Sequence, residues 1–354
     1  MSRFLSSKYA SLTPYVPGEQ PRDTNDVKLN TNESPFPPSP AVAAAVRLEA
    51  ERLNLYCDPE CTELKAAAAA LYGVKPEQVL PVNGSDEILY FVFLAFGDGD
   101  NAFAFPDISY GFYSVYAAFC NVPSREIPLK EDLSIDYRDY LGLREHILIA
   151  NPNAPTGTCL KRDEMEGILQ ANPERLVIID EAYIDFGGES CVPLIENYDN
   201  LLVIQTFSKS RSLAGARLGF GIGNESLVRD LNTVKYSINP YNVNRMTQAA
   251  GIAAIRDDAY YKNNAGRIIR TREETAQHLK QLGFTVLPSK ANFLFASSEQ
   301  IGGEALYREL KARGVLVRHF RRERIKDFCR ITIGTPEQME TLLTNIRAIL
   351  DAKG

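Results

Sequence analysis

The 354-residue sequence has few histidines and cysteines, and they are not grouped as a metal site would require. None of the three histidines lies near the pair Cys57 and Cys61, so zinc binding there is not favoured. The six cysteines show no repeated short spacing, and no apolar signal-peptide core lies near the start. We therefore expect a reducing, cytoplasmic setting.

Long apolar runs and an excess of positive charge are also lacking. No apolar run approaches the roughly 20 residues of a membrane-spanning helix, so no membrane partner is predicted. The net charge of -6 would repel a nucleic-acid backbone, which excludes a general nucleic-acid partner. No Gly-x-Gly-x-x-Gly follows the first predicted strands, which disfavours a dinucleotide-binding oxidoreductase.

The pattern that is present between about residues 40 and 245 alternates helical stretches with short apolar runs. The helical stretches are 41–53, 62–72 and 87–96, and the apolar runs are 102–105, 146–150, 176–180 and 201–206. This alternation is typical of an α/β fold with a mostly parallel sheet covered by helices on both faces. We expect this large domain to span residues 36–250.

The remaining sequence predicts a smaller α+β domain. A long helix over residues 260–282 is followed by shorter strands and helices, ending in a helix over 336–352, which indicates a mixed or antiparallel sheet. We assign residues 251–354 to this domain. The proline-rich N-terminal segment, residues 1–35, is expected to pack on the small domain or at a dimer interface.

Lys209 and Asp180 carry the chemistry. Asp180 ends the run Leu-Val-Ile-Ile-Asp, so its carboxylate should emerge at the carboxyl edge of a buried strand, where open α/β sheets bind ligands. A buried carboxylate needs a cation, and a protonated pyridine nitrogen would supply one. Lys209 follows the next predicted strand, where an amine is suited to form a Schiff base. The pair predicts a pyridoxal 5'-phosphate cofactor.

Hydroxyls and a guanidinium near this lysine suit the phosphate of such a cofactor. Thr206 and Ser208 precede Lys209 or flank it, and Arg217 follows eight residues later with a guanidinium suited to phosphate. The segment Asn83-Gly84-Ser85-Asp86 adds a glycine turn and a helix start whose free amides attract an anion. Taken alone, that segment would more often be an ordinary helix cap, and both functions can coexist.

Two tyrosines complete the predicted cofactor pocket. Tyr110, after the strand at 102–105, could stack its ring on the pyridine face, and Tyr183, three residues beyond Asp180, could donate its hydroxyl to the cofactor O3′. Taken alone, each would more often be a packing residue. Their position beside Asp180 and Lys209 favours the cofactor interpretation.

Together these motifs resemble the aspartate-aminotransferase superfamily of fold-type I pyridoxal enzymes, most closely the histidinol-phosphate aminotransferases. The resemblance spans nearly the whole chain. The segments that carry it beyond the lysine motif are Leu12-Thr-Pro-Tyr15, Leu29-Asn-Thr-Asn-Glu33, Tyr56, Asn83-Gly-Ser-Asp-Glu87, Asp180-Glu-Ala-Tyr183 and Cys329-Arg-Ile-Thr-Ile-Gly334.

The resemblance implies a role for each matching residue and a homodimer with its sites at the interface. Catalytic roles fall to Lys209, Asp180 and Tyr183. The cofactor would further be held by Gly84, Ser85, Asp86, Tyr110, Asn153, Thr206, Ser208 and Arg217, and by Tyr56 reaching from the neighbouring subunit. Arg330 would bind the acidic group of the substrate, with Arg318, Tyr15 and Asn32 assisting.

One segment departs from the superfamily pattern. Where an Asn-Pro-Thr-Gly motif is usual, this chain reads Asn151-Pro-Asn-Ala154-Pro-Thr-Gly157, and alanine cannot donate to the cofactor O3′. Either Asn153 reaches O3′ through a shifted loop, or Tyr183 acts with a water or alone. With fewer donors, the imine on Lys209 is expected to have a higher pKa than in a site with both donors.

The resemblance implies transfer of an amino group between L-histidinol phosphate and 2-oxoglutarate, both small molecules. An aromatic or broad-specificity aminotransferase stays open, because a ring and an acid can occupy one pocket. A threonine-phosphate decarboxylase of the same fold is a third reading, since it also needs arginine for a phosphate. A non-enzymatic ligand sensor is disfavoured by the reactive lysine and the lack of an appended DNA-binding motif.

Overall fold

The computed structural model describes residues 2–9, 12–21 and 26–352. The predicted N-terminal segment, residues 1–35, therefore lies partly outside the described residues. The chain forms two main sheets in these ranges. Thirteen strands are described: β1 Val27–Lys28, β2 Val79–Val82, β3 Phe103–Pro106, β4 Ser124–Ile127, β5 His146–Ala150, β6 Val177–Asp180, β7 Leu201–Thr206, β8 Gly219–Gly223, β9 Phe284–Val286, β10 Phe293–Ser298, β11 Val315–Leu316, β12 Arg318–His319 and β13 Phe328–Thr332.

Ten α-helices surround these sheets in the described ranges. They are α1 Pro40–Ala50, α2 Thr62–Tyr72, α3 Ser85–Phe96, α4 Phe112–Cys120, α5 Arg162–Ala171, α6 Glu225–Ile238, α7 Arg245–Arg256, α8 Asp258–Gln281, α9 Gly303–Ala312 and α10 Pro336–Asp351. Short 3₁₀ turns lie at Ser7–Tyr9, Pro76–Gln78, Tyr137–Tyr140, Ile184–Phe186, Val192–Glu196, Ala214–Ala216 and Glu323–Ile325.

The larger sheet has seven strands in the order β2-β8-β7-β6-β5-β3-β4. The strands β4, β3, β5, β6 and β7 run parallel, whereas β8 is antiparallel to both β7 and β2. The prediction of an α/β fold with a mostly parallel sheet is thus confirmed. Because parallel strands align their carboxyl ends, the ends of β6 and β7 open on the same edge of the sheet.

Both faces of this sheet are buried, which explains the unbroken apolar runs of its strands. In β6, Val177 and Ile179 pack into one hydrophobic cluster, while Ile178 between them packs into another. The same alternation occurs in β7, where Val203 belongs to the first cluster and Ile204 to the second. Period-two alternation into two cores requires apolar residues at every position, as in helix-covered parallel sheets.

The second sheet has four antiparallel strands in the order β12-β13-β10-β9. It packs with α9 and α10 around its own cluster, which includes Phe293, Ile331 and Leu342. β1, from the N-terminal region, pairs in parallel with β11, with Val27 opposite Val315. The boundaries at residues 35 and 250 remain a prediction.

Two features are lacking among the described residues. No helix in that part of the chain is long and apolar enough to cross a membrane. Across the same residues, no group of three or more His, Cys, Asp or Glu side chains is arranged to hold a metal ion.

Candidate active site

A cavity of about 330 Å³ opens at the carboxyl ends of β6 and β7. Asp180 and Thr206 are the last residues of these strands, and Lys209 lies in the loop that follows β7. Among the residues predicted for the site, the cavity is lined by Ser85, Asp86, Tyr110, Asp180, Tyr183, Thr206, Ser208, Lys209 and Arg217. The sheet therefore brings together nearly all of the predicted cofactor residues.

The carboxylate of Asp180 is buried, with 4% of the residue exposed, and both of its hydrogen-bond donors are neutral. The Tyr113 hydroxyl donates to Oδ2 at 2.9 Å, and the backbone N–H of Ala182 donates to Oδ1 at 3.2 Å. Burial raises the pKa of Asp180 to about 6, although both hydrogen bonds and the charge of Lys209 oppose that rise. An approaching cation would stabilise the ionised carboxylate.

The amine of Lys209 faces the same cavity. Its Nζ donates to the backbone oxygen of Thr31 at 3.3 Å and lies 5.8 Å from the ring centroid of Tyr183. Neither neighbour is an acid, so the amine is not held in an ion pair by these contacts. It is available to a ligand in the cavity.

Hydroxyl and guanidinium groups also meet in this cavity. The Thr206 hydroxyl donates to Ser208 Oγ at 3.0 Å, and Arg217 Nη1 reaches the same oxygen at 3.5 Å. Ser85 is the first residue of α3, so its backbone N–H is among those left free at a helix start. These donors suit a phosphate group.

Gly84, immediately before α3, is required by both its backbone and its surroundings. It adopts a φ of 79°, and a Cβ placed there would lie 2.4 Å from Arg217 Nη2. Arg217 itself has a φ of 56°. A side chain at position 84 would therefore displace the guanidinium from the cavity.

Asp86 lines the cavity next to Arg217, and its carboxylate has two partners there. Its carboxylate accepts a hydrogen bond from the Tyr110 hydroxyl at 2.7 Å and pairs with Arg217 Nη2 at 3.2 Å. A carboxylate would repel a phosphate, so Asp86 can contribute only its backbone N–H to an anion and otherwise orients Arg217 and Tyr110. Burial, and then the Asp86 charge, raise the pKa of Tyr110 and keep it protonated.

Tyr183 and Asn153, the two candidate donors to the cofactor O3′, differ in their position relative to the cavity. Tyr183 lines the cavity, whereas Asn153 does not. The Asn153 amide donates to the Ile108 carbonyl and to Thr156 Oγ1, both at 3.0 Å, and its Oδ1 accepts from Ser109 at 2.8 Å. The neighbouring Ala154 faces the cavity instead. Because its amide is already bonded elsewhere, Asn153 is not brought to the cofactor position that we had expected for it.

A second cavity of about 270 Å³ adjoins the first, and the two share Tyr110 and Ala154 as lining residues. Tyr15, Arg318 and Arg330 line it, as expected for substrate-binding residues. Asn32 lines neither cavity, and its amide donates to the Tyr183 hydroxyl at 2.9 Å. The prediction that Asn32 assists substrate binding thus has no support in its position.

Arg330 enters the second cavity without a carboxylate partner among the described residues. Its Nη2 donates to the Asn30 carbonyl at 3.1 Å, its Nε is buried without a hydrogen bond, and its guanidinium lies 5.3 Å and 5.6 Å from the ring centroids of Phe293 and Phe320. Burial lowers the pKa of Arg330. A buried guanidinium with an unused N–H attracts an anionic ligand.

Arg318 and Tyr15 join this cavity to the N-terminal segment. Arg318 donates to the carbonyls of Val16 and Pro17 at 3.0 Å and 3.3 Å. The Tyr15 ring stacks on Phe112 with centroids 4.2 Å apart. Burial raises the pKa of Tyr15, which is opposed by the positive charges of Arg330 and Arg318. The segment thus covers the second cavity.

Tyr56 is not part of either cavity in this chain. It is 79% exposed, and its ring stacks on Tyr241 with centroids 4.5 Å apart. Arg245 donates to the Tyr56 carbonyl at 2.7 Å, which holds the backbone of this exposed turn against the start of α7.

Residues that sequence reasoning missed include Tyr113, Thr31 and Glu33. Tyr113 lies in the first turn of α4, three residues beyond Tyr110, and its backbone N–H donates to the Tyr110 carbonyl at 3.2 Å; its closeness in sequence to Tyr110 could have indicated it. Glu33 lines the first cavity, and its carboxylate is 2.7 Å from Lys28 Nζ. Thr31 and Glu33 belong to the segment Leu29–Glu33 that carries the family resemblance, but the resemblance implies a role only for Asn32 in that segment.

Comparison with known proteins gives a consistent family. The model of the aminotransferase class I and II family matches residues 24–346. The chain is 50% identical over 352 residues to a histidinol-phosphate aminotransferase of Brachyspira hyodysenteriae, covering 99% of each chain. It is 51% identical over 350 residues to histidinol-phosphate aminotransferase 1 of Bradyrhizobium diazoefficiens, covering 99% of this chain and 100% of that one.

Solved structures share the fold. The histidinol-phosphate aminotransferase of Sinorhizobium meliloti, in complex with pyridoxal-5'-phosphate, superposes with a TM-score of 0.91 at 24% identity, covering 100% of this chain and 99% of that one. An aspartate aminotransferase variant of Thermus thermophilus gives a TM-score of 0.84 at 19% identity, covering 98% and 100%.

Proposed function

This chain belongs to the class I and II aminotransferase family, and we propose that it exchanges an amino group between L-histidinol phosphate and 2-oxoglutarate with pyridoxal 5'-phosphate as cofactor. The observation that carries the proposal is the joined pair of cavities. One combines a buried acid, a free amine and a phosphate cradle, and the other holds a guanidinium without an acidic partner.

The residues of the first cavity fit this cofactor. When bound, the cofactor withdraws electrons from the bonds at the substrate α-carbon. Asp180 would pair with the positive ring nitrogen, because its own donors are neutral. Arg217, Ser208, Thr206 and the N–H groups at the start of α3 would hold the phosphate, with Gly84 leaving room for Arg217.

Lys209 and Tyr183 would act on protons at the reacting atoms. The amine of Lys209 donates to a backbone oxygen among the contacts above and would hold the cofactor through its aldehyde. Once displaced there by the substrate amine, it would be free to move the proton at the substrate α-carbon. The Tyr183 hydroxyl would donate to O3′, and the Tyr110 ring would cover one face of the cofactor.

Arg330 would bind the acidic group of each substrate, which is the phosphate of the amino donor or the distal carboxylate of the oxo acid. Its unused Nε–H and its position near two aromatic rings support this role, since a buried cation gains most from an anionic partner. Arg318 and Tyr15 would complete the anion site from the N-terminal side.

We infer a homodimer in which Tyr56 reaches the phosphate held by the partner subunit. An exposed apolar surface around Tyr56 supports this arrangement, because such a surface usually marks an interaction site. It comprises Leu48, Leu53, Leu55, Tyr56, Ile238 and Tyr241, which are between 41% and 79% exposed.

Free cysteines at all six positions also support the reducing cytoplasm as the setting.

Subunit mixing tests the dimer. Lys209→Ala and Tyr56→Ala homodimers should each be nearly inactive. A hybrid with one subunit of each kind has one site with both defects and one intact site, so mixing should restore activity to about half per hybrid dimer. Two Lys209→Ala preparations mixed together serve as the control. Failure of correctly formed hybrids to regain activity would contradict a Tyr56 contribution across the interface.

A substrate panel tests the reaction. Purified enzyme should form glutamate from 2-oxoglutarate fastest with histidinol phosphate, more slowly with phenylalanine, and should release no carbon dioxide from threonine phosphate. Faster turnover of phenylalanine would make the enzyme an aromatic aminotransferase, and carbon dioxide release would make it a decarboxylase.

A spectroscopic experiment tests the cofactor. The visible absorbance of the lysine-bound cofactor should vanish on borohydride treatment and be lacking in Lys209→Ala.

A further inference from the structure

Asn32 lies between the two sheets and contacts the hydroxyl of Tyr183. Its Nδ2 donates to Tyr183 Oη at 2.9 Å, although the two residues are 151 positions apart. Tyr183 follows β6 of the seven-stranded sheet, whereas the other contacts of Asn32 belong to the four-stranded sheet. Asn32 is 1% exposed, so these bonds lie in a medium that strengthens them.

The orientation of the Asn32 amide is determined by Thr332 on β13. The Asn32 backbone N–H donates to Thr332 Oγ1 at 3.0 Å, and the Thr332 hydroxyl donates to Asn32 Oδ1 at 2.9 Å. Because the amide oxygen faces Thr332, the amide nitrogen faces Tyr183. The Asn292 side-chain amide donates to the Asn32 carbonyl at 3.0 Å, which fixes the backbone of Asn32 as well.

The Tyr183 hydroxyl accepts from Asn32 and makes no other hydrogen bond within the described residues. Its own hydrogen is therefore free to donate into the cavity that Tyr183 lines. A hydroxyl that accepts one hydrogen bond becomes a better donor in the next, because hydrogen bonds in a chain polarise one another. The bond from Asn32 thus both aims and strengthens the donation.

We propose that Asn32 is a positioning residue that acts through Tyr183, and that Thr332 fixes it in place. Resting on the cofactor assigned above, this relay compensates for Ala154, which offers no donor, and for Asn153, whose amide is used elsewhere. It also joins the four-stranded sheet to the O3′ contact. A shift of β13 relative to the larger sheet would alter the strength of that contact.

Other titratable groups lie near Tyr183, and a test of the Asn32 contact must exclude effects that pass through them. These are Lys209, Arg330, Tyr15, Tyr110 and Tyr113, and none of them hydrogen-bonds to the Asn32 side chain among the described contacts. A change confined to Asn32 or Thr332 leaves all of these side chains in place. Its effect on the cofactor should therefore pass through Tyr183 alone.

The readout is the pH midpoint of the visible absorbance of the lysine-bound cofactor in the holoenzyme. Asn32→Gly removes the amide but suits the backbone, since Asn32 has a φ of 57°. Loss of this donor to Tyr183 should leave the cofactor O3′ oxygen more negative and raise the midpoint by about one pH unit. In a Tyr183→Phe background, the same change should produce no further shift.

Thr332 supplies a matched pair of variants that does not alter Asn32. Thr332→Val should raise the midpoint by a smaller amount, and Thr332→Ser, which keeps the hydroxyl, should behave as the wild type. This pair decides the question if Asn32→Gly fails to fold. A normal midpoint in folded Asn32→Gly, or in Thr332→Val, would overturn the relay, as would an equal shift with and without the Tyr183 hydroxyl.

The wild-type spectrum separates the two levels of the proposal. If cofactor-supplied wild-type protein shows no such absorbance, the cofactor assignment fails and the relay fails with it. If the wild type titrates normally and the variants do not shift, the relay alone is wrong.

Discussion

The hydroxyl of Tyr113 donates a 2.9 Å hydrogen bond to Oδ2 of Asp180, and both residues are buried. Asp180 ends β6, while Tyr113 belongs to the first turns of α4, so the bond joins a helix to the strand end that carries the buried acid. It stabilises the ionised carboxylate in a place where burial favours the protonated one. Tyr113 therefore prepares Asp180 to receive a cation.

Tyr113→Phe should weaken cofactor binding most at low pH. Without the hydrogen bond the pKa of Asp180 rises further, so the carboxylate is ionised only at higher pH. Relative to the wild type, we expect affinity for pyridoxal phosphate to fall about tenfold near pH 6 and to recover above pH 8. Equilibrium titration of the cofactor-free protein measures this. Tyr116→Phe, one turn further along α4, is the control, and an equal loss at every pH would contradict the explanation.

The raised pKa of Asp180 also predicts how the stability of the cofactor-free protein depends on pH. The folded state keeps a proton up to about pH 6, whereas the unfolded chain loses it near 3.8, so the free energy of unfolding falls as pH rises through this window. The decrease should be about 3 kcal/mol. Denaturant titrations from pH 4 to 7 should show it as a difference between wild type and Asp180→Asn.

The difference between the stability curves of wild type and Asp180→Asn, rather than the wild-type curve alone, measures the contribution of Asp180. Burial also raises the pKa of the neighbouring Glu181, to about 8, so Glu181 contributes its own slope in both proteins. A wild-type curve parallel to that of Asp180→Asn would show that Asp180 is ionised at pH 4 in the folded protein.

Much of the large sheet could be predicted from the sequence. The predicted runs 146–150 and 201–206 have the observed bounds of β5 and β7, and the predicted helix 62–72 has those of α2. Strands buried on both faces give unbroken apolar runs, which are easy to recognise. β8 was missed, because its alternate glycines, Gly219, Gly221 and Gly223, give it the composition of a loop.

The site divides in the same way. Residues at strand ends, such as Asp180 and Thr206, could be placed at one edge because parallel strands align. The partners of Asn153 and Asn32 could not be predicted. Both asparagines lie in loops, and whether an amide faces a cavity or a backbone carbonyl depends on contacts between distant segments, such as Asn32 with Thr332.

Gly84→Ala and Gly73→Ala separate backbone strain from loss of the phosphate cradle. Gly73 (φ 70°, ψ 34°) lies in the left-handed region, where alanine should cost about 1 kcal/mol of stability. Gly84 (φ 79°, ψ 159°) lies in a region that almost only glycine adopts, so alanine should cost more there, about 2 kcal/mol. A Cβ at Gly84 would meet Arg217 at 2.4 Å, whereas one at Gly73 meets nothing within 4 Å. Only Gly84→Ala should lower cofactor affinity, by about tenfold or more. Equal affinities in the two variants would exclude the cradle assigned to Arg217.

Asn153→Ala and Tyr183→Phe should differ in their effect on the cofactor spectrum. Asn153 makes three hydrogen bonds, to Ile108, Ser109 and Thr156, of which the first and last are buried, so its removal should destabilise the protein by about 2 kcal/mol and leave the cofactor spectrum unchanged. Tyr183→Phe leaves the buried Asn32 amide without an acceptor, so it should also destabilise the protein, by about 1 to 2 kcal/mol, and in addition it should raise the pH midpoint of the cofactor absorbance. Thermal unfolding and spectrophotometric titration of both variants measure these effects. A midpoint that rises in Asn153→Ala would return the O3′ contact to Asn153.

Arg330→Ala should impair recognition of the phosphate of the amino donor rather than the chemical step. Loss of a buried charge-assisted contact of about 2 to 3 kcal/mol lowers kcat/KM for histidinol phosphate by about 30- to 150-fold. Histidinol, which lacks the phosphate, cannot use that contact, so its low kcat/KM should change much less. The first half-reaction should be assayed without the oxo acid, so that weaker binding of the oxo acid to the variant does not contribute to the measured loss. Arg308→Ala, which removes an exposed arginine paired with Glu304, is the control. Equal losses with histidinol and its phosphate would mean that Arg330 supports the architecture of the second cavity and not the recognition of an anion.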